Sequence, residues 1–306
     1  MAFPTETVYG LGARADSPEA VAKIFQAKNR PTFDPLIAHF PSFETAEQWA
    51  RFDERAFLLA RTFWPGPLTL VLPRIHDHNG PKIPDLVTAG LDTVGVRVPA
   101  QPLALALLDA VPFPVAAPSA NPFGYVSPTT AAHVRQGLGD RVDLILDGGP
   151  CTVGVESTIV DLSGPFPRLL RPGGLPREAI EEVLGQNLVW EGFRPPVLTE
   201  APGMLESHYS PAVEVEVFEE VSRLEARARE LDGNCAVISA SPISATHCRE
   251  AVVLGEGAAM AVALFATLRR LDDPRTGRIL ALLPPPDGLG LAVRDRLYRA
   301  AHSKMG

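Results

Sequence analysis

Cysteine is scarce in this sequence. Among 306 residues there are three cysteines, Cys151, Cys235 and Cys248, and no two of them form a CxxC pair. Disulfide scaffolds and cysteine zinc sites need more cysteines at closer spacing, so both classes are excluded and a reducing compartment is expected. The seven histidines show no HExxH or other metal-ligand spacing. The sequence therefore predicts no metal held by the protein itself.

Long hydrophobic runs are also missing. No apolar run reaches the roughly 18–20 residues that a membrane helix needs, and even the richest stretch, 102–118, is interrupted by Asp109 and by prolines. The N-terminus has neither a basic region nor an apolar region of the kind found in export signals. We therefore expect a soluble cytoplasmic protein that does not contact a membrane.

Positive charge is in short supply, and lysine is the rarer of the two cations. The chain has 28 Lys and Arg against 36 Asp and Glu, a net charge of −8, and four of the cations are lysines. Such a chain does not coat nucleic acid, so any polyanion must be held by a local basic site. At roughly 100–200 residues per domain, its length predicts two domains.

Short apolar runs separated by prolines and glycines predict alternating strands and helices in residues 1–189. The predicted strands are 36–40, 68–73, 94–98, 115–117, 144–146 and 157–162, and the predicted helices are 18–28, 45–63 and 103–108. The elements alternate without a strict strand–helix–strand rhythm. This pattern favours an α/β domain with a mixed sheet over a purely doubly wound one.

The second half of the chain has a more regular pattern. Residues 190–211 are rich in proline and lack periodicity, which indicates a linker. In residues 212–306, strands and helices alternate as expected of a small parallel α/β domain. The predicted strands are 213–218, 236–239, 251–254 and 279–283, and the predicted helices are 224–231, 258–271 and 291–302.

Two polar motifs lie near the N-terminus. The segment 4–12 (PTETVYGLG) joins threonine hydroxyls to glycines, which suits a small polar ligand but equally suits a capped glycine turn. Lys28 and Arg30 close the first predicted helix and are followed by Pro31. Such a pair of cations can bind phosphates, although cations at this position more often serve only to stabilise the C-terminus of a helix.

Arg97 stands inside an apolar predicted strand. A buried arginine without an anionic partner costs several kcal/mol, on the order of 3–5 kcal/mol, so it should meet either a protein carboxylate or a ligand. The residues alone leave those two alternatives open.

A longer polar loop, 118–129 (PSANPFGYVSPT), follows the strand 115–117. It can present hydroxyls and backbone N–H groups to a phosphate, or it can be a structural Ser-Pro turn. Ser157 and Arg171 add polar groups at the ends of two further strands. No Ser-His-Asp or Cys-His arrangement is evident. The residue types therefore predict a cleft that positions anions without a covalent nucleophile.

In order and spacing, these segments resemble the YrdC/Sua5 family, the threonylcarbamoyl-adenylate synthases. The matching segments are PTETVYGLG, KNRPTFDPLIAHF, FWPGPLTLVL, TVGVRVP, PSANPFGYVSPT, ESTIVD and LLRPGG. The linker segment APGMLESHYSP and the stretch GLGLAVRDRLYRAA are similar to the longer, two-domain Sua5 form. The resemblance covers nearly the whole chain.

The resemblance implies a fold and a reaction. The fold would be α/β, with a YrdC-like twisted mixed sheet followed by a small Rossmann-like parallel domain. The reaction would join L-threonine, bicarbonate and ATP into threonylcarbamoyl-AMP and pyrophosphate, with Mg²⁺ accompanying the ATP. Downstream transferase proteins would pass the threonylcarbamoyl group to adenosine 37 of tRNAs that read ANN codons, so that tRNA is an indirect partner.

The resemblance also implies roles for individual residues. The threonine would be bound by Thr7, His39, Arg97, Ala117 and Ser157. The nucleotide would be bound by Lys28, Arg30, Asp34, Thr93, Ser119, Ser127, Arg171 and Tyr209, with Lys28, Arg30 and Arg171 assigned to catalysis. The linker residues His208 and Tyr209 would fold over the cleft and keep water from a labile intermediate.

The sequence departs from the family at two places. The family normally has a helix and a strand before the PTET segment, so either a late start or an open sheet edge is expected here. The family commonly has asparagine where this chain has Asp34. A carboxylate there would repel phosphate unless it helps to hold a cation.

Three other functions are alternatives to this one. An RNA-binding module without catalysis is disfavoured by the 16 Lys and Arg against 22 Asp and Glu in residues 1–200, because backbone binding needs a basic surface. Carbamoyl transfer to a protein thiol would need zinc-binding cysteines and an acylphosphatase-like segment, which this sequence does not contain. Residues 212–306 show no reactive cluster and are expected to form a structural tail.

Overall fold

The computed structural model describes residues 1–75, 83–192, 202, 209–244 and 247–301. The strands are β1 (Ala2–Phe3), β2 (Gly10–Leu11), β3 (Ala13–Arg14), β4 (Ile37–His39), β5 (Leu68–Pro73), β6 (Thr93–Arg97), β7 (Val115–Ala116), β8 (Thr158–Asp161), β9 (Arg168–Arg171), β10 (Glu214–Phe218), β11 (Gly233–Ser239), β12 (Cys248–Val253) and β13 (Arg278–Leu282). The helices are α1 (Pro18–Lys28), α2 (Phe43–Ala46), α3 (Glu54–Phe63), α4 (Asp85–Thr88), α5 (Pro102–Asp109), α6 (Ala131–Leu138), α7 (Arg177–Leu184), α8 (Val221–Glu230), α9 (Ala258–Leu271) and α10 (Gly288–Ala301).

The first part of the chain forms a seven-stranded sheet in the order β3-β7-β4-β6-β5-β8-β9. β4 pairs with β6, and β5 with β8, in parallel, whereas the other neighbours are antiparallel. The predicted mixed sheet is therefore confirmed. Because β4 and β6 are parallel and in register, His39 lies opposite Arg97, and both side chains reach the same end of the sheet.

The second part forms a parallel sheet in the order β10-β13-β11-β12. Alternate residues of its strands face opposite sides, as the two-residue period of a strand requires. Val237 and Leu280 pack beneath α8, whereas Ile238 and Ile279 pack with residues of α9 and α10. The predicted parallel α/β domain is confirmed by this arrangement.

The helix α1 has the bounds that its sequence predicts. The Ser17 side chain accepts a hydrogen bond from the Ala20 N–H and caps the first turn, while Val21 and Ile24 are buried. Asn29 then adopts a left-handed conformation with φ of 53° and ends the helix. The turn brings the Arg30 N–H to the Phe25 carbonyl oxygen at 3.0 Å. Arg30 thereby points back towards the protein interior.

Two predicted elements are wrong. The helix predicted over 45–63 is two helices, α2 and α3, because the Asp53 side chain caps a new helix at the Ala56 N–H. Between them, Ala50 forms an isolated bridge with Arg74. The strand predicted over 144–146 is reduced to a single bridge between Ile145 and Ala2. The helices α6 and α7 were not predicted.

The two parts pack closely against each other. Val8, Val126 and Val155 of the first part belong to the same hydrophobic cluster as Phe265 of α9. Gly154 has a φ of 81°, and a Cβ there would lie 2.3 Å from the Cα of Val262. Only glycine allows that approach. Of the helices in the described ranges, none has both the length and the apolar character that crossing a membrane requires.

Candidate active site

A cavity opens at one end of the seven-stranded sheet, beside the linker. Its wall is formed by Thr5, Thr7, Val8, Gly10, Arg30, Ile37, His39, Arg97, Ala117, Pro118, Ser119, Glu156, Ser157, Arg171, Pro202 and Tyr209. All five residues predicted to bind threonine are on this wall. Of the predicted nucleotide residues, Arg30, Ser119, Arg171 and Tyr209 are on it, whereas Lys28, Asp34, Thr93 and Ser127 are not.

Arg97, at the end of β6, is held by a carboxylate of the protein. Its Nη2 donates to Glu6 Oε1 at 2.5 Å and to Thr7 Oγ1 at 3.0 Å, and its Nε donates to the Gly66 carbonyl oxygen at 3.3 Å. Glu6 Oε2 in turn accepts from the Ala100 N–H at 3.0 Å. One partner of Arg97 is therefore a protein carboxylate, the first of the two alternatives that the sequence left open. Glu6 itself received no role from the sequence, although it lies within the PTET motif.

Arg171, at the end of β9, joins the sheet edge to the linker. Its Nη2 donates to the carbonyl oxygen and the Oγ of Ser157 at 2.9 and 3.2 Å, and its Nη1 donates to the Pro202 carbonyl oxygen at 2.8 Å. Gly173 permits this arrangement, since a Cβ there would lie 2.4 Å from the Glu156 carbonyl oxygen. Arg171 thus fixes one strand end and one linker residue together.

Arg30, which lines the cavity, forms a buried ion pair with Asp34, which does not. Arg30 Nη2 lies 2.9 Å from Asp34 Oδ2 and also donates to the Pro35 carbonyl oxygen at 2.9 Å. Burial raises the pKa of the Asp34 carboxyl, against the lowering effect of Arg30 and Lys28. Asp34 itself is not among the residues of the cavity wall. It holds the Arg30 guanidinium and is itself neutralised by it.

Lys28 is buried beneath the PSAN loop. Its Nζ donates to the Ser119 carbonyl oxygen at 2.5 Å and to the Asn121 carbonyl oxygen. Burial, reinforced by the charge of Arg30, lowers the pKa of the Lys28 ammonium well below its usual range. Lys28 therefore fixes the loop that carries Ser119, and it does not line the cavity itself.

The two other predicted nucleotide residues also lie off the wall. Thr93 lies at the start of β6 and lines a neighbouring cleft with Thr69 and Gly95. Ser127 is fully buried, and its Oγ donates to Glu156 Oε1 at 2.5 Å. Ser127 thus reaches the cavity only through the carboxylate that it contacts.

His39, at the end of β4, is a neutral side chain. Burial, together with the charge of Arg97, lowers the pKa of its imidazole to about 3. The ring packs edge-on against Phe3, and its Nδ1 lies 3.1 Å from the Ile37 carbonyl oxygen. At neutral pH His39 therefore adds shape and hydrogen-bonding capacity to the wall without charge.

Tyr209, from the predicted linker, is buried and lies on the cavity wall. Its ring stacks on Phe265 of α9 at a centroid distance of 5.5 Å, and the Arg296 guanidinium lies 5.0 Å from the ring centre. Tyr209 has a φ of 63°, a conformation that costs a non-glycine residue about 1 kcal/mol or more. The contacts of the ring with Phe265 and Arg296 hold it there. His208 lies outside the described residues.

The second domain reaches the site through two arginines that the sequence did not single out. Arg269 of α9 donates to the backbone oxygens of Val126 and Ser127, and its guanidinium lies over the Tyr125 ring at 4.9 Å. Arg296 of α10 donates from Nε to Glu156 Oε2 at 2.8 Å. Both contacts join residues far apart in sequence, so no local pattern could have predicted them.

The wall is therefore rich in fixed positive charge. Arg30, Arg97 and Arg171 are each less than a tenth exposed and all reach the cavity. Glu156 is the acidic residue of the wall, and both of its carboxylate oxygens already accept hydrogen bonds. With hydroxyls from Thr7, Ser119 and Ser157 nearby, this cavity is suited to anionic ligands.

Known families and structures match the whole chain. The Sua5/YciO/YrdC family model, described as "Telomere recombination", matches residues 1–173, and a model described as "Threonylcarbamoyl-AMP synthase, C-terminal domain" matches residues 175–302. A threonylcarbamoyl-AMP synthase of Pyrococcus abyssi is 44% identical over 98% of this chain and 90% of its own length. One of Bacillus subtilis is 39% identical over 100% of this chain and 90% of its own length.

A solved structure resembles the fold equally well. The crystal structure of P. abyssi Sua5 complexed with L-threonine superposes with a TM-score of 0.90 at 43% identity, covering 99% of this chain and 90% of that chain. The order of the motifs and the two sheets agree with these matches. The chain belongs to the Sua5 family of threonylcarbamoyl-AMP synthases.

Proposed function

We propose that this chain is an enzyme that makes threonylcarbamoyl-AMP from L-threonine, bicarbonate and ATP and releases pyrophosphate. The observation that carries the proposal is the meeting of Arg30, Arg97 and Arg171 at one buried cavity. An amino-acid carboxylate and a triphosphate are both anions that arginine binds well, and this reaction requires them side by side.

The chemistry requires alignment and charge stabilisation. The threonine amine bonds to the carbon of bicarbonate and a C–OH bond breaks with loss of water, which gives an N-carboxy-threonine. Its carbamate oxygen then attacks the α-phosphorus of ATP. The new bond joins that oxygen to the α-phosphorus, and the bond from the α-phosphorus to the bridging oxygen breaks as pyrophosphate leaves. The substrate supplies its own nucleophile, so the protein's task is to hold the two anions in line and to stabilise the charge that develops.

We assign the threonine to the part of the cavity near β4 and β6. Arg97 would receive its carboxylate, since Glu6 engages Nη2 while Nη1 makes no hydrogen bond within the described part of the chain. Thr7 and Ser157 supply hydroxyls, Ala117 supplies a small apolar surface, and neutral His39 completes the wall. The L-threonine in the P. abyssi relative supports the substrate.

We assign the triphosphate to the opposite side, near the ends of α1 and β9. Arg30, Arg171 and Ser119 can contact it directly. Lys28 and Asp34 would act through the groups they hold, namely the PSAN loop and the Arg30 guanidinium. Tyr209 closes the wall beside Arg171.

We propose that Mg²⁺ arrives with ATP, as part of that substrate. The carboxylates nearest the cavity are already engaged: Glu6 by Arg97, Asp34 by Arg30, and Glu156 by Ser127 and Arg296. They fit the role of holding arginines better than the role of metal ligands. The ion would neutralise phosphate charge beside the arginines, and a magnesium titration of pyrophosphate release tests this.

We propose that the product serves the t6A modification of adenosine 37 in tRNAs that read ANN codons. Threonylcarbamoyl-AMP is a mixed anhydride and is hydrolysed by water, so a transferase must consume it soon after release. A coupled assay tests this step by following transfer of labelled threonine to such a tRNA when a downstream transferase system is added.

The decisive experiment measures pyrophosphate release from ATP with threonine and bicarbonate omitted in turn. We expect release to depend on both, because the nucleophile forms from both. An RNA-binding module without catalysis would instead bind tRNA tightly and in a salt-sensitive manner, with no threonine-dependent release. That result would overturn the proposed function.

A further inference from the structure

The helix α10 belongs to the second domain but carries a side chain into the wall of the first. Arg296 is 0% exposed. Its Nε donates to Glu156 Oε2 at 2.8 Å, and its Nη1 donates to the Pro172 carbonyl oxygen at 2.9 Å. Glu156 lines the cavity, and Pro172 directly follows Arg171. One guanidinium therefore contacts two segments of the proposed active site.

The position of Arg296 is fixed from several sides. Asp295 Oδ2 accepts from its Nη1 at 2.7 Å, while Asp295 Oδ1 accepts from Arg299 at 3.0 Å. The ring of Tyr209 covers its face. A planar guanidinium held in this way cannot follow a moving partner, so it imposes its own geometry on Glu156.

Glu156 needs a positively charged partner because it is buried and lines the cavity. Burial would raise the pKa of its carboxyl, but the charges of Arg296 and Arg171 outweigh burial and hold the pKa below its usual range. The carboxylate is therefore ionised at neutral pH. An ionised carboxylate on the wall of a cavity for a triphosphate repels that ligand unless a cation cancels its charge.

We propose that Arg296 is a positioning residue of the synthase, which cancels the charge of Glu156 and fixes its carboxylate against Ser127. The inference rests on the proposed function and deepens it, since the second domain then supplies part of the ATP site. The segment GLGLAVRDRLYRAA forms α10 and presents Arg296 to the ATP site. Residues 212–306 are accordingly more than a structural tail.

The first test is Arg296→Met, which preserves much of the side-chain length and removes the charge. The KM for ATP should rise about tenfold or more, because an unpaired carboxylate then faces the triphosphate. The KM for threonine should change less, since threonine brings a single carboxylate. Arg296→Lys retains the charge and should remain within about threefold of the wild-type KM for ATP.

The second test adds Glu156→Gln to Arg296→Met, which removes the unpaired charge. The double variant should return to within about threefold of the wild-type KM for ATP. It also keeps the test usable if Arg296→Met alone does not fold, because it buries no uncompensated charge. A folded double variant with ATP binding as weak as that of Arg296→Met would overturn the proposal.

Arg294→Met is the matched control on the same helix. Arg294 contacts the Pro284 carbonyl oxygen and Glu219, both within the second domain. We expect it to lower the melting temperature without raising the KM for ATP. An equal rise in both arginine variants would show general loosening of α10 and would contradict the proposal.

Direct calorimetric titration with ATP separates this inference from the proposed function. A wild-type chain without threonine-dependent pyrophosphate release overturns the proposed function, whatever the variants do. An active wild-type chain whose Arg296→Met variant binds ATP normally overturns the inference alone.

Discussion

The two sheets of this protein are built from similar elements, yet they bury charge very differently. The first region buries Glu6, Lys28, Arg30, Asp34, Arg97, Glu156, Asp161 and Arg171. Among the described residues of the second region, the buried charged side chains are Asp295, Arg296 and Arg299, all on α10. The rest of that core is apolar or carries hydroxyls.

The difference shows what the buried charges are for. A core is more easily stabilised by apolar packing than by ion pairs, because desolvating two charges offsets much of their attraction. The second region follows that rule except on the helix that faces the first. The first region departs from it around the cavity, where positioned cations are needed for anionic ligands. Apart from Asp161, which pairs with Arg168, the buried charges of the first region thus lie around the cavity.

The comparison is tested most strongly by Arg171→Ala. Removing this guanidinium frees the Ser157 and Pro202 carbonyl oxygens and takes one positive charge from the cavity wall. We expect kcat/KM for ATP to fall about 100- to 1,000-fold, as for loss of a preorganised donor. Pyrophosphate release measures it, and circular dichroism checks the fold. A variant with nearly wild-type kinetics would remove Arg171 from the site.

Leu224→Ala in α8 tests whether the apolar core of the second region contributes to stability and not to ligand binding. Leu224 is 0% exposed and packs on the face of the second sheet that lies away from the cavity. We expect the free energy of unfolding to fall by about 3 kcal/mol with unchanged KM values. Denaturant unfolding and steady-state kinetics measure the two effects.

Phe265→Ala is the matched control for Leu224→Ala, since Phe265 supports the Tyr209 ring. Phe265→Ala should lower the free energy of unfolding by about as much as Leu224→Ala does, and it should also raise the KM for ATP. If both variants changed the kinetics equally, the two faces of the second sheet would not differ in function.

We expect acid to lower the free energy of unfolding of the first region, because His39 is buried in its neutral form. The pKa of this imidazole is about 3 in the folded protein, below its usual value. From about pH 6.5 down to pH 3, the unfolded chain binds a proton that the folded chain does not, so stability falls as the pH falls. Between pH 7 and pH 5 we expect a loss of about 2 kcal/mol.

Tryptophan fluorescence can follow this loss, because Trp49, Trp64 and Trp190 all precede the second sheet. The control is His39→Gln, whose free energy of unfolding should depend less on pH over the same range. Parallel pH profiles for the two proteins would show that His39 does not carry the effect.

The smallest expected effect is that of Arg269→Met, which removes two hydrogen bonds to the loop around Ser127. We expect the KM for ATP to rise about two- to fivefold, in line with about 1 kcal/mol or less for the lost contacts. Arg270→Met is the neighbouring control, because Arg270 pairs with Glu250 at the surface. Surface pairs of this kind contribute little. A larger effect of Arg270→Met would contradict the role of Arg269 as an interdomain contact.

Elements with complete local signals were predictable from the sequence. The helix α1 has a serine cap, a proline in its first turn and one apolar face, and its predicted bounds match the structure. The strand 68–73 and the helix 258–271 match as well. The helix over 45–63 failed because the Asp53 cap starts a new helix, and because the Ala50–Arg74 bridge before it depends on a residue beyond β5.

The candidate site was predictable only in part, for a related reason. Ser119 and Arg171 lie at or just after the ends of two strands of the same sheet. Because these ends lie at the same edge of the sheet, both residues reach the cavity. The pairing of Arg97 with Glu6, by contrast, spans 91 positions in the chain, and that of Arg296 with Glu156 spans 140. Neither the spacing of residues nor the composition predicts a contact between residues so far apart in the chain.

By itself, the sequence determined the family, the mixed and parallel sheets and most residues of the cavity wall, because these follow from local patterns and ordered motifs. The tertiary structure decided how the charges are satisfied: Glu6 holds Arg97, Lys28 and Asp34 lie behind the wall, and α10 supplies Arg296 to Glu156. The reason is physical. A buried charge needs a partner within hydrogen-bonding distance, and only folding decides which distant side chain comes that close.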